Sequence, residues 1–141
     1  MKKVLIIHAH PESQSFCSSL KNEAVEFFKT QGAEVKVSDL YQMAFNPVGD
    51  KHDFTQLENA DFFKYQMEQV HAFQNKAFES SLKSEMDKLE WCDTLIFNFP
   101  LWWFGLPAIL FAPYKFDPDV IDALTAVATA EKSVVPGSKE C

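Results

Sequence analysis

The 141-residue chain is 47% hydrophobic and 23% charged, a balance that supports one folded domain with a substantial core and excludes an intrinsically disordered protein. Its formal net charge is −7 and it contains no arginine, which excludes a nucleic-acid surface built on clustered basic residues. The apolar run at 4–7 is far shorter than a signal-peptide core, and no later stretch reaches the roughly 20 residues of a membrane span; a cytosolic location is expected, with Cys17, Cys92 and Cys141 as reduced thiols.

The first predicted element is a strand over Lys3–His8, whose unbroken Val-Leu-Ile-Ile run is the pattern of a parallel strand covered on both faces. Residues 15–31 form an amphipathic helix on the spacing of Phe16, Leu20, Ala24, Phe27 and Phe28, with Gly32 as its stop. Val35 and Val37 then alternate with Glu34 and Lys36, so residues 33–39 read as a second, partly exposed strand. A βαβ unit is complete by Leu40.

Residues 41–57 carry Pro47, Gly49 and several aspartates without a period and read as a long irregular excursion. The set Ala60, Phe63, Met67, Val70, Phe73 and Ala77 predicts a second amphipathic helix over 58–79. Leu82, Met86 and Leu89 predict a third, separated from it by a break at Ser80 and Ser81. Residues 94–99 form the third strand. Three strands alternating with helices predict a doubly wound α/β parallel sheet of order 2-1-3. In that order the loops after the first and third strands diverge, and the crevice between them is the expected ligand site.

On one side of that crevice, the third strand ends at Pro100, which forbids its continuation as a central strand. Leu101, Trp102, Trp103 and Phe104 therefore fall in the turn past its carboxyl end. Consecutive aromatics held between Pro100 and Pro107 cannot all face one core, and they make a stiff wall for a flat apolar ligand. On the other side, His8-Ala9-His10-Pro11-Glu12-Ser13-Gln14-Ser15 runs directly into the first helix. Free amides and the helix dipole at that start favour an anion, and Ser15, Ser18 and Ser19 add hydroxyls; capping by Ser13 or Ser15 is the plain structural alternative. His8 and His10 point the same way on an extended segment, yet no cysteine or carboxylate is spaced to complete a metal shell, so no metal is expected and His10 is assigned as a phosphate donor. A phosphate cradle facing an aromatic slot fits a nucleotide with a flat ring system. The loop carries neither G-x-G-x-x-G nor a P-loop.

Three segments carry a family resemblance: VLIIHAHPESQSF at 4–16, Asp39-Leu40-Tyr41 followed by Phe45 and Pro47, and FNFPLWWFGLPAIL at 97–110. Together, over residues 2–110, they make the chain similar to the flavodoxin-like NAD(P)H:quinone oxidoreductases (NAD(P)H dehydrogenase, quinone). The resemblance implies a flavodoxin-like fold and bound FAD, with FMN as the other flavin. It implies a hydride donor, NADH or NADPH, and two-electron reduction of a quinone in a ping-pong cycle. By position, His10, Phe16, Cys17, Ser18 and Ser19 would hold the FAD pyrophosphate, and Leu101, Trp102, Trp103 and Phe104 the isoalloxazine. Trp103 and Phe104 would also line the substrate pocket. No catalytic side chain is assigned. Cys17 stands where the family usually has asparagine, and Lys64 where relatives often have a glutamine near the cofactor. The family's homodimers place each active site at the subunit interface, so pairing with a like chain is expected here.

After Leu110 the resemblance ends. Residues 1–110 read as the N-terminal part of an FAD-binding domain and 111–141 as a divergent tail, with one short helix around Val120, Leu124 and Val127. The family's fourth and fifth strands, its threonine- and glycine-rich flavin loop and its substrate-facing tyrosine and histidine have no counterpart. That leaves the third strand as a sheet edge. The alternative to an active reductase is a non-catalytic variant that binds a partner or forms mixed dimers with a longer chain.

Overall fold

The computed structural model describes residues 1–110; the expected tail and its short helix lie outside the described residues. Three parallel strands, β1 (Lys3–His8), β2 (Glu34–Asp39) and β3 (Thr94–Asn98), form one sheet of order β2-β1-β3. β1 pairs with Glu34 to Asp39 on one side and Thr94 to Asn98 on the other. Central β1 is the most buried strand, as its apolar run demands. All five residues of β3 are half-buried, and among the described residues β3 is an edge.

Helix α1 (Phe16–Thr30) begins at Ser15, whose side chain accepts the Ser18 amide. Gly32 lies just past its end at φ +78°, a conformation glycine adopts without a Cβ penalty. α1 packs on the sheet face that carries His8, which reaches Ser18. α3 (Ser80–Trp91) covers the opposite face, where Leu5, Ile7, Ala9 and Leu40 form the main core with Leu89, Cys92, Phe97 and Ile109 against them. α3 is also tied to β2 by polar contacts: buried Ser38 donates to the Glu85 carboxylate, and the Lys88 ammonium lies 2.6 Å from the other Glu85 oxygen.

The middle of the chain departs from expectation. The second helix, α2, spans only Tyr65–Asn75. Residues 58–64 are irregular, because the Glu58 and Asn59 amides donate to the Glu68 carboxylate and the Asn59 side chain accepts the Asp61 and Phe62 amides. The break before α3 falls at Lys76, in the left-handed conformation, and at the cap Glu79; Ser80 and Ser81 are helical. Residues 54–78 carry their own small core, in which Phe54, Ala72 and Ala77 pack with Phe63, Tyr65 and Phe78.

Two helix faces are also turned from where periodicity placed them. α2 buries Glu68 and Ala72 and exposes Met67, Val70 and Phe73. α1 likewise leaves Phe16, Leu20 and Phe27 exposed. An apolar period marks a face that seeks cover, and in α2 the carboxylate of Glu68 takes the inward place because it closes two backbone amides. No helix among the described residues is long and apolar enough to cross a membrane.

Candidate functional site

The loops after β1 and β3 both leave the carboxyl edge of the sheet, and the central strand ties them at the base: the Ala9 amide donates to the Asn98 carbonyl at 3.0 Å. Above that tie His10 and Trp102 meet across the gap, their ring centroids 5.8 Å apart. The two predicted walls therefore face each other.

The serine loop is folded largely on itself. Ser15 N–H donates to the Glu12 carbonyl, Gln14 N–H to the Glu12 carboxylate and Ser18 N–H to Ser15 Oγ. Ser18 is buried and its hydroxyl donates to the Glu12 carbonyl, while the Ser19 hydroxyl donates to the Ser15 carbonyl. The first-turn amides of Phe16 and Cys17 are what this pattern leaves without an intrahelical acceptor. His10 Nδ1 lies 3.0 Å from the Glu12 amide and 3.2 Å from the Glu12 carbonyl; where it accepts the amide, the proton of the neutral ring stands on Nε2 and His10 is a donor there. Phe16 is exposed at the helix start. Cys17 is partly covered, and burial pushes its thiol up, so it is a packing and hydrogen-bonding group, not a reactive thiolate.

The aromatic loop has an unusual backbone. Gly105 N–H donates to the Trp102 carbonyl at 3.0 Å, closing a tight turn whose central residues Trp103 and Phe104 have φ of +52° and +61°. Bulky residues seldom take this left-handed conformation, which costs roughly 1–2 kcal/mol each, and such outliers gather at ligand clamps and switches. Trp103 is 97% and Phe104 102% exposed. Leu101 is exposed as well, and Trp102 is the half-sheltered member that meets His10. Lys64 stands at the start of α2 with its ammonium over the Phe62 ring.

Sequence spacing placed His8 and His10 together, and the structure separates them. His8 is 1% exposed, with Nδ1 2.6 Å from Asn98 Oδ1 and Nε2 3.1 Å from Ser18 Oγ. Cys17 Sγ donates to the same Asn98 oxygen. Asn98 and the buried role of His8 were not predicted; they join positions 90 residues apart, and no local signal marks such a contact. A cavity of about 530 Å³ lies elsewhere, on the β2 flank, lined by Lys21, Asp39, Met43 and Lys88 among others.

Residues 2–112 match the family described as having a flavodoxin-like fold. The chain is 46% identical over 110 residues to rat ribosyldihydronicotinamide dehydrogenase (quinone), covering 77% of this chain and 48% of that protein. It is 42% identical over 111 residues to guinea-pig (Cavia porcellus) NAD(P)H dehydrogenase (quinone) 1, covering 78% and 40%. A Klebsiella pneumoniae protein, solved as a candidate quinone reductase, superposes with a TM-score of 0.77 at 38% identity over 82% of this chain and 44% of its own. The chain thus spans about half the length, or less, of the relatives it matches.

Proposed function

From the premise that this chain belongs to the family with a flavodoxin-like fold, we infer that its crevice holds a flavin and serves the reduction of a quinone by NADH or NADPH. One observation carries the reading. A loop that presents backbone amides and a histidine N–H faces a turn whose two aromatic side chains lie open, and the family match over residues 2–112 spans both walls.

The residues present fit such a group. The Phe16 and Cys17 amides and His10 Nε2–H are donors placed for the phosphates of FAD, favoured by the α1 dipole. Ser18 and Ser19 act from behind, holding the loop's shape. Leu101, Trp102, Trp103 and Phe104 form the face for a flat ring, and the fixed turn limits the rotamer and backbone entropy lost when a ring stacks there. Trp103 and Phe104 are also the surface on which nicotinamide and quinone would bind in turn, in ping-pong order. When bound, the flavin supplies the two-electron chemistry, and the chain supplies position and shelter from water.

FAD is favoured over FMN by the resemblance of segments 4–16 and 97–110 to the NAD(P)H:quinone oxidoreductases. Pairing with a second copy belongs to the same reading, since the outer faces of Trp103 and Phe104 need cover that residues 1–110 do not give. The cytosol is the proposed compartment. A second reading, partner binding without catalysis or mixed dimers with a longer relative, draws on β3, which is an edge among the described residues and a template for another strand.

The test is the visible spectrum of the purified chain, followed by release and identification of any flavin. Bound FAD near unit occupancy, with NADH or NADPH oxidation that depends on added quinone, is the expected result. A colourless chain that takes up neither FAD nor FMN transfers the proposal to the partner-binding reading.

A further inference from the structure

Asn98, the last residue of β3, pairs in register with His8 at the end of β1, and its backbone carbonyl takes the Ala9 amide. Its side chain therefore stands on the sheet face that carries His8 and α1, at the base of the crevice between the two loops. The amide oxygen is used twice: Oδ1 lies 2.6 Å from His8 Nδ1 and 3.2 Å from Cys17 Sγ. Burial pushes the Cys17 thiol up, so the sulfur keeps its proton, and of the two ends of an amide only the oxygen can accept it. Turned over, the amide would set its nitrogen against the His8 nitrogen at 2.6 Å, closer than N–H···O bonds ordinarily run. The two contacts fix the plane of the amide and the end that faces inward.

The other end of the amide is unused. Neither hydrogen of the Asn98 NH2 has an acceptor among the described residues. Among those residues the one buried side-chain polar atom without a partner is His71 Nε2, so the Asn98 NH2 is open to solvent. Cys17, held by the amide oxygen, carries one of the two first-turn amides of α1 that lack an intrahelical acceptor, and His10 follows one residue beyond Ala9. Neither segment 8–16 nor segment 97–107 contains lysine or arginine. Their one carboxylate, Glu12, holds the Gln14 amide, and the first lysine of α1, Lys21, has its ammonium 3.6 Å from Asp39. An anion in this crevice is therefore held by neutral dipoles, and each further N–H adds directly to its binding.

We propose that the Asn98 NH2 is a ligand-binding donor of the crevice, joining the Phe16 and Cys17 amides on a phosphate oxygen of the bound flavin while Oδ1 stays locked to His8 and Cys17. This rests on the reading of the crevice as a site for a phosphate-bearing flavin. One side chain then ties β3 to α1 through its oxygen and to the ligand through its nitrogen, so the element that positions the donor is the same one that carries the aromatic turn.

The test titrates the purified chain with FAD, with riboflavin, which has no phosphate, and with inorganic pyrophosphate, which has no ring. Asn98→Asp keeps an oxygen for His8 and Cys17 and puts a second where the NH2 stood; Asn98→Ala removes the NH2 without adding charge. Both are expected to weaken FAD by about tenfold or more, as loss of a hydrogen bond to a charged group does, and to leave riboflavin affinity unchanged, which also shows that the variants fold. Equal losses for both flavins mean that Asn98 only holds the loops together, and overturn the proposal. Side-chain ¹⁵N NMR of the wild type reads the donor directly. The Asn98 NH2 signals are expected to shift with FAD and with pyrophosphate and to stay in place with riboflavin. The His8 ring is expected to carry its proton on Nδ1; a proton on Nε2 alone means that the amide is turned over with its NH2 spent on His8, and overturns the proposal. If neither flavin binds, the cofactor reading fails by itself, and pyrophosphate still decides the role of Asn98: a shifted NH2 supports the anion donor and an unmoved one overturns it.

Discussion

His10 and Trp102 sit with their rings tilted 60° to one another, one from each loop, so a single side-chain contact bridges the mouth of the crevice. Such a pair contributes roughly 0.5–1.5 kcal/mol beyond area burial. His10 also offers an Nε2–H, so packing and donation can be separated. His10→Phe keeps a ring against Trp102 and removes the donor, together with the exposed acceptor of the Glu12 amide, which water can replace. Its melting temperature is expected to match wild type within about 2 °C, a stability change well under 1 kcal/mol, while FAD binding weakens and riboflavin binding does not. Equal losses for both flavins would place His10 outside phosphate binding.

Phe104 tests the cost of the aromatic turn. The ring is fully exposed and the backbone is left-handed, so Phe104→Gly removes strain of roughly 1–2 kcal/mol against about 0.5–1 kcal/mol of added chain entropy in the unfolded state. Urea unfolding is expected to show unchanged or slightly higher stability, together with weaker flavin binding. A loss above about 1 kcal/mol would mean the ring is covered in the folded protein.

Glu68 is buried on α2 and accepts the Glu58 amide at 2.7 Å and the Asn59 amide at 3.1 Å. Glu68→Ala strands two backbone donors, and the expected cost is about 3 kcal/mol. Glu68→Gln keeps an acceptor for one of them and should lose about half as much. Denaturant midpoints for the two variants check the order.

Glu79 caps α3 by accepting the Ser81 and Leu82 amides. Hydrogen bonds from the Ser81 and Ser80 hydroxyls, with smaller help from those amides, bring its carboxyl down to about 2. A depressed carboxylate stabilises the fold above its unfolded value, roughly 4.3, and loses that contribution as pH falls through the folded value. Glu79→Ala is therefore expected to cost about 1 kcal/mol at neutral pH, as a lost cap does. The gap from wild type should close between pH 4.5 and pH 2 in thermal melts.

Much of the frame was legible in the chain because its signals are local. The β1 run, the Ser15 cap, the Gly32 stop and the alternation in β2 each act within a few residues, and the order β2-β1-β3 follows from how parallel strands are joined. The region 58–79 was misread because Met67, Val70 and Phe73 keep helical time while facing outward; the inward group is Glu68, whose carboxylate answers amides ten residues back. The site was legible in its two walls and illegible in its joint. His8, Ser18 and Asn98 look ordinary one by one, and only the register of β1 on β3 brings them together. The turn at Trp103 and Phe104 was hidden for another reason: neither residue type announces a positive φ, and the turn is closed by a backbone bond, from the Gly105 amide to the Trp102 carbonyl, that side chains do not signal.

The serine loop turns its hydroxyls inward, toward Glu12, Ser15 and His8. What positions 16 and 17 leave without an intrahelical partner is peptide N–H, which every residue except proline carries. Recognition by main chain is blind to the side chain that hangs from it. Positions 16 and 17 can thus exchange aromatic for aliphatic, or thiol for amide, without erasing the donors. A single proline at either position would do what no other substitution there can, and delete a donor outright.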